Sequence, residues 1–528
     1  MGYPAIKPVV WPSVDHDPDQ RSTYRFLQEQ LADGRNLDEV VLPDEDQVAG
    51  RIKFASGARD GVFTHHVANG ETDTAGNLFA AVRDAAAGRW FTRRRYARLY
   101  ERAKSPDLLS TIDPLLGHIR DSSIDGRRLH RVAMRLATES AHRGPVKLGI
   151  ALLGLFPVEL HREVLLTLGR HDEFTLYAAV ALSNGQEDAD DDLWYLAKQV
   201  HGWGRIHLVE RLADTKRRDI LDWILREGFR NAVMDEYLAY LAASRGDLLA
   251  ALSADEVDDE LLYAAGDLLV ALFAGGPAQD IYDYADGAAV TRIYLTLMRD
   301  HASDLRHLLA VGAIRDFVTD ASPDKKWPEG GWDETARMQF ANQCQQLIAR
   351  PQWPPMAVEA LESTDPVTFW PADRACTILE ISTLHVLLRQ LRAQPLESGK
   401  WFSVIRQADH DTIREVVDLA VDVLPLAAVA SGPGSELGLG QQWAAHQCLD
   451  VLVQGLGKWP GVGWPLIEAS LASPVVRNRN LAVRALAAWP RSEWPSNTES
   501  RLRQAISAEP EHDVKERMTA VLDGRPLS

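Results

Sequence analysis

DLWYLAKQV (Asp192–Val200), RIHLVERLA (Arg205–Ala213), RDILDWILRE (Arg218–Glu227), AVMDEYLAYLAA (Ala232–Ala243) and EVDDELLYAAGDLLVALF (Glu256–Phe273) follow one another with only short Gly, Asp or Asn breaks between them. Apolar residues recur at three- and four-residue intervals in each, the period of a helix with one buried face. In the second segment Ile206, Val209, Leu212 and Ala213 make the stripe, while Arg205, Glu210 and Arg211 face elsewhere. Helices of about 10–15 residues joined by loops this short pack as antiparallel neighbours.

The same period extends outward in both directions. Upstream it covers Asn77–Ala87, Phe91–Lys104, Asp107–Arg120, Asp125–His142, Pro145–Leu155 and Val158–Leu168. Downstream, two Trp- and Pro-rich loops (Ala321–Trp332 and Arg350–Pro355) flank a helical segment, Glu334–Ile348. Helical periodicity resumes at Ala372–Leu391 and runs to about Leu522. The start of the chain differs: Pro4, Pro8, Pro12, Pro18 and Pro43 punctuate it, one helix is expected at Gln20–Leu31, and a weak alternation over Gln47–Phe54 predicts a short strand or hairpin. The expected organisation is an irregular, possible-strand cap over 1–76, a helical array over 77–320, a connecting region over 321–371 and a second array over 372–528.

An internal repeat is visible near the end. Pro474-Val475-Val476-Arg477 leads to Ala482, and Val514-Lys515 leads to Ala520 at the same spacing, 38 residues on. Pro145-Val146-Lys147 opens a helix in the same style. A proline starts a helix, a basic residue follows, and small and branched residues pack on the next pair. These features resemble HEAT repeats, whose period is about 40 residues. The resemblance spans residues 125–525 and implies an all-α, irregular HEAT-like solenoid used mainly for macromolecular contacts.

Composition narrows the function. The chain has 528 residues, 57 Lys+Arg against 75 Asp+Glu, a net charge of −18 and three cysteines. That balance disfavours a general nucleic-acid binder. Three cysteines cannot build a disulfide framework, which points to a reducing compartment. No basic, then apolar leader opens the sequence and no apolar run approaches the roughly 18 residues that span a bilayer, so a soluble cytoplasmic protein is expected. Charge is uneven: residues 81–150 hold 15 basic and 7 acidic side chains, a basic shoulder on an acidic body.

Several motifs admit two readings. Of 15 tryptophans, Trp11, Trp327, Trp353, Trp370, Trp459, Trp464, Trp489 and Trp494 precede proline. They read as core anchors at helix ends, or as a row of exposed aromatics gripping a partner. Asp15-His16-Asp17, Asp60 with His65-His66, and Asp409-His410-Asp411 contain metal-ligand residue types but match no named ligand spacing, so solvated turns are expected and no metal site or cofactor is assigned. Gly432-Pro433-Gly434-Ser435-Glu436-Leu437-Gly438 lacks the βαβ context of a dinucleotide loop and reads as a flexible helix connection. Cys344, Cys376 and Cys448 sit within helical patterns, as buried thiols do.

Two clusters stand out as candidate sites. Trp90, Arg93, Arg94, Arg95 and Arg98, interleaved with Phe91, Tyr96 and Tyr100, could grip an acidic partner, with Arg127, Arg128, Arg131 and Arg135 forming a second basic face. The competing readings are an ordinary solvated face, or docking onto the chain's own acidic runs at Glu187–Asp192 and Asp255–Glu260, which also suit helix starts. Farther along, Arg205, His207, Arg211, Arg230, Glu236, Tyr237 and Tyr240 are placed to form a polar network or a pocket between repeats. Residues 195–245 resemble a group of bacterial proteins named limonene hydroxylases. That resemblance implies monoterpene oxidation with redox cofactors, and no catalytic residue carries over from it.

The expected function is therefore a non-catalytic scaffold binding a protein partner along its concave surface. A monoterpene-oxidising enzyme and a HEAT-type nucleic-acid binder stand as alternatives.

Overall fold

A computed structural model describes residues 21–37, 40–44, 54–66, 74–87, 93–104, 108–323 and 325–527. These are all-helical: 29 α-helices and a few short 3-10 and π segments, with no strand among the described residues and one isolated β-bridge, Glu436 to Val475. The strand expected over Gln47–Phe54 lies outside the described residues except for Phe54, which belongs to no helix or strand. The described residues divide into two compact units, the first within Met1–Gln47, Lys53–Ala302 and Ala310–Leu347, the second within Ser303–Leu309 and Ile348–Ser528.

In the first unit, helix Gly126–Glu139 pairs with Arg143–Leu153. Asp125 caps the former, accepting from the Arg128 amide at 3.0 Å. The two backbones approach closely because position 149 is glycine: a Cβ there would lie 2.5 Å from the Ala137 nitrogen. Arg143–Leu153 then packs on Asp172–Gly185, which packs on Trp203–Leu212. This row is the centre of the unit. Every residue from Pro145 to Leu153 is buried, and so is almost all of Asp172–Leu182. Each fully buried Leu, Val or Phe in it contributes about 1.5–3 kcal/mol.

The second unit repeats the pattern. Ser398–Gln407, Ala444–Leu456, Val476–Ala488 and His512–Leu522 pack one on the next as a row, and Ile413–Val423, Trp464–Leu471 and Thr498–Ala508 form a second row against it. Val476 and Val514, the residues carrying the 38-residue repeat, stand near the starts of neighbouring rungs. Arg479, on the first of these rungs, meets Glu509, in the connection just before the second, in a wholly buried bidentate pair at 2.7 and 2.8 Å.

The tryptophan–proline steps anchor helix ends. Trp353 and Trp464 each begin a helix with proline just inside it, and Trp489 donates from Nε1 to the Leu456 carbonyl at 2.9 Å. None of the seven described tryptophans of this set is exposed, which leaves no exposed aromatic row among them; Trp11 lies outside the described residues. The 432–438 connection is held in place rather than flexible: the Gly432 amide donates to the Ala472 carbonyl, and Arg479 donates to the Gly434 carbonyl, both at 2.8 Å.

Candidate functional site

The sequence reading treats Asp60 and His65 as parts of a solvated turn. The structure corrects this: both lie on a helix, Ala58–His66, seated on the central row of the first unit. What seats it is a buried charge cluster at one end and an aromatic cluster at the other.

Asp60 enters the charge cluster. The Lys147 Nζ reaches Asp60 Oδ2 at 2.7 Å and Glu173 Oε1 at 2.5 Å, and the Tyr177 hydroxyl donates to Asp60 Oδ2 at 3.0 Å. The Gly57 amide donates to Glu173 Oε2 at 3.1 Å, and Arg143 lies 3.5 Å from the same oxygen. Lys147, Asp60 and Glu173 are each 8% exposed. Burial pushes the Glu173 carboxyl upward, and Lys147 and Arg143 more than offset it, so it titrates below its ordinary value. Lys147 is the basic residue of the Pro145-Val146-Lys147 motif, turned inward.

Five residues after Asp60, His65 enters the aromatic cluster. Gly61 lets the helix lie flat on Trp203, since a Cβ would come within 2.2 Å of the indole. The His65 ring centre then stands 5.3 Å from Trp203, 5.4 Å from His207 and 5.5 Å from Tyr237. His65 donates from Nδ1 to the Gly61 carbonyl at 2.9 Å, which turns Nε2 toward Glu210 Oε1 at 3.0 Å. His207 and Glu210, three residues apart on Trp203–Leu212, share a face, with His207 Nδ1 3.8 Å from Glu210 Oε2. His207 is 2% exposed, and among the described residues neither ring nitrogen has a hydrogen-bond partner. The hydrogen bond to Glu210 raises the His65 pKa, and burial lowers that of His207. Burial would raise Glu210, but the two imidazoles pull it down to about 2.

The remaining residues of the central cluster go elsewhere. Arg205 is buried and donates to the carbonyls of Ala197, Val200 and Arg230 at 3.0, 2.8 and 3.0 Å, clamping two loops. Arg211 turns back on the His207 carbonyl at 2.8 Å. Arg230 pairs with Asp267 at 2.7 Å. Tyr240 meets Tyr284 edge-on with ring centres 6.4 Å apart, and Glu236 is half-buried beside Gly276. Of the seven, only His207 and Tyr237 share the aromatic cluster. Trp203 and Glu210 join it from the helix that carries His207, and His65 from Ala58–His66, a distant helix that no periodic pattern pairs with it.

The basic shoulder is a different kind of surface. Helix Arg93–Ala103 buries Tyr96, Leu99, Tyr100 and Ala103 and exposes Arg93, Arg94, Arg95 and Arg98. Arg98 lies 3.9 Å from Asp84, and Arg102 donates to the Asn77 carbonyl at 2.6 Å. Arg135 of the neighbouring basic face stands 4.9 Å over the Tyr96 ring and pairs with Glu139, whereas Arg127 and Arg131 are exposed. Trp90 lies outside the described residues. The acidic runs expected as its receptor pair with other arginines: Asp192 with Arg162, Asp191 with Arg217, and Asp258 with Arg226. Asp258 also caps Asp259–Ala274, accepting from the Leu261 amide at 2.8 Å. The Asp409 group is a solvated turn, its carboxylate accepting from the Asp411 and Thr412 amides at 3.1 and 3.0 Å.

In comparison with known proteins, the chain matches no family model, no curated protein and no solved structure.

Proposed function

We propose that this protein is a non-catalytic helical-repeat scaffold, a HEAT-like stack that binds a protein partner along its concave surface and takes an acidic segment of that partner on Arg93, Arg94, Arg95 and Arg98. The observation that carries this reading is the exposure of all four arginines on a helix whose opposite side is buried. A local positive face on a chain of net charge −18 favours a short acidic peptide. A long polyanion would also meet the repulsion of the acidic remainder. The acidic runs at Glu187–Asp192 and Asp255–Glu260 pair with arginines other than these four.

The test is a titration of the full chain with a fluorescent glutamate-rich peptide and, separately, with a DNA duplex of similar length, at low and moderate salt. The peptide is expected to bind with affinity that falls as salt rises, and Arg93→Glu with Arg94→Glu is expected to weaken it at least about tenfold. An unchanged affinity in that variant, or no peptide binding at low salt, overturns the reading. Tighter binding to the duplex than to the peptide replaces it with the nucleic-acid reading.

A further inference from the structure

His65, His207 and Glu210 each present a donor atom, and these atoms all lie within 4.8 Å of one another. Three features of the group ask for a cation. The first is the tautomer of His65. Its Nδ1 proton is committed to the Gly61 carbonyl, so in the neutral ring Nε2 carries a lone pair aimed at a carboxylate oxygen 3.0 Å away. Two lone pairs at that distance need a proton or a metal between them. The second is His207. A buried imidazole with neither nitrogen hydrogen-bonded among the described residues is a rare group in a folded protein. The third is the placement of Glu210, with Oε1 toward His65 and Oε2 toward His207.

The donor set defines the ion. Two imidazoles and one carboxylate suit zinc and its borderline divalent neighbours, whereas magnesium and calcium take all-oxygen shells. Ligands at about 2.1 Å from a metal stand roughly 3–3.5 Å apart. The His65–Glu210 pair already meets that spacing, while the 3.8 Å His207–Glu210 pair and the 4.8 Å outer limit of the set must close up when an ion binds. The hydrogen bond from His65 Nδ1 to a backbone carbonyl is the outer contact that orients ligating histidines and raises their basicity. The Glu210 side chain is 36% exposed, which gives an ion a way in from solvent.

We propose that His65, His207 and Glu210 form a three-ligand site for a divalent transition-metal ion of the zinc class, tying helix Ala58–His66 to helix Trp203–Leu212. With three protein ligands, a fourth position stays open for water. The site does not depend on the scaffold reading.

The experiment uses the full chain stripped with a chelator, reloaded with zinc and dialysed against metal-free buffer, with bound metal counted by mass spectrometry. In parallel, cobalt is added and its visible d–d absorption recorded. About one ion per chain and a cobalt spectrum with nitrogen–oxygen coordination are expected. Glu210→Gln, His65→Gln and His207→Asn should each weaken binding at least about tenfold. His207→Asn alters a buried position, so helical circular dichroism is read alongside, and the two partly exposed positions keep the test decisive if it misfolds. Wild-type protein retaining no more metal than the variants overturns the site and leaves a plain His–Glu pair. Stoichiometric metal that survives all three substitutions also overturns it, since the ion is then held elsewhere.

Discussion

His65 and Glu210, 145 positions apart in the chain, meet at 3.0 Å. That contact is possible because Asp60, five residues earlier on the same helix, is locked to Lys147, and because Gly61, between them, lets the helix rest on Trp203. A short helix of nine residues, marginal by itself, is thus fixed by tertiary contacts at both ends.

Removing the cation of the charge cluster is expected to be severe. Lys147→Met leaves Asp60 and Glu173 buried without their partner, which costs about 3–5 kcal/mol. Urea denaturation at neutral pH measures it, and a loss under about 0.5 kcal/mol would show the carboxylates to be solvated.

Overpacking at Gly61 is expected to lift the helix. Gly61→Ala places a methyl group against the Trp203 ring and is predicted to cost about 1–3 kcal/mol. Hydrogen exchange should accelerate across Ala58–His66, and unchanged protection there would contradict the packing described.

Much of this architecture was legible in the sequence and some was not, for physical reasons. Helices with one apolar stripe declared themselves: Glu334–Ile348 has the bounds that the periodicity gave, and Arg93–Ala103 and Leu108–Arg120 differ from expectation by one or two residues at their ends. Asp172–Gly185 had no expected counterpart, because a helix buried on nearly every side shows no stripe. Ala232–Ala243 read as one helix but is a 3-10 turn, Asp235–Tyr237, followed by Ala239–Arg245, since the Asn231 side chain ties up the Val233 and Met234 amides in a turn. The arginine face was legible because charge is local. The His65 cluster was not, because its members come from separate helices and Glu210 looks like any polar-face residue.

Asp450 provides a pH test in the second unit. Burial pushes its carboxyl up to about 6 against the opposing pull of Arg477 and Asn478. The unfolded chain's carboxyl titrates near 4, so the folded state holds a proton that the unfolded state has lost between about pH 4 and 6. Stability from this group is therefore greatest at low pH and falls as pH rises through that window. Asp450→Asn should abolish this component, making the variant's stability relative to wild type about 2 kcal/mol better at pH 7.5 than at pH 4.5. Urea unfolding at both pH values decides it, and an equal difference at the two contradicts the burial of the charge.

The arginine face should be dispensable for folding. Arg93→Glu with Arg94→Glu is expected to change the unfolding free energy by no more than about 0.5 kcal/mol, as exposed substitutions do. A larger loss would mean that these side chains serve the fold.

The most direct measurement of the scaffold reading is hydrogen exchange across the full chain with and without a saturating glutamate-rich peptide. New protection is predicted on Arg93–Ala103 and on the adjoining Gly126–Glu139, with the helices of the second unit unchanged. Protection confined to other helices, or none anywhere at saturation, would contradict it.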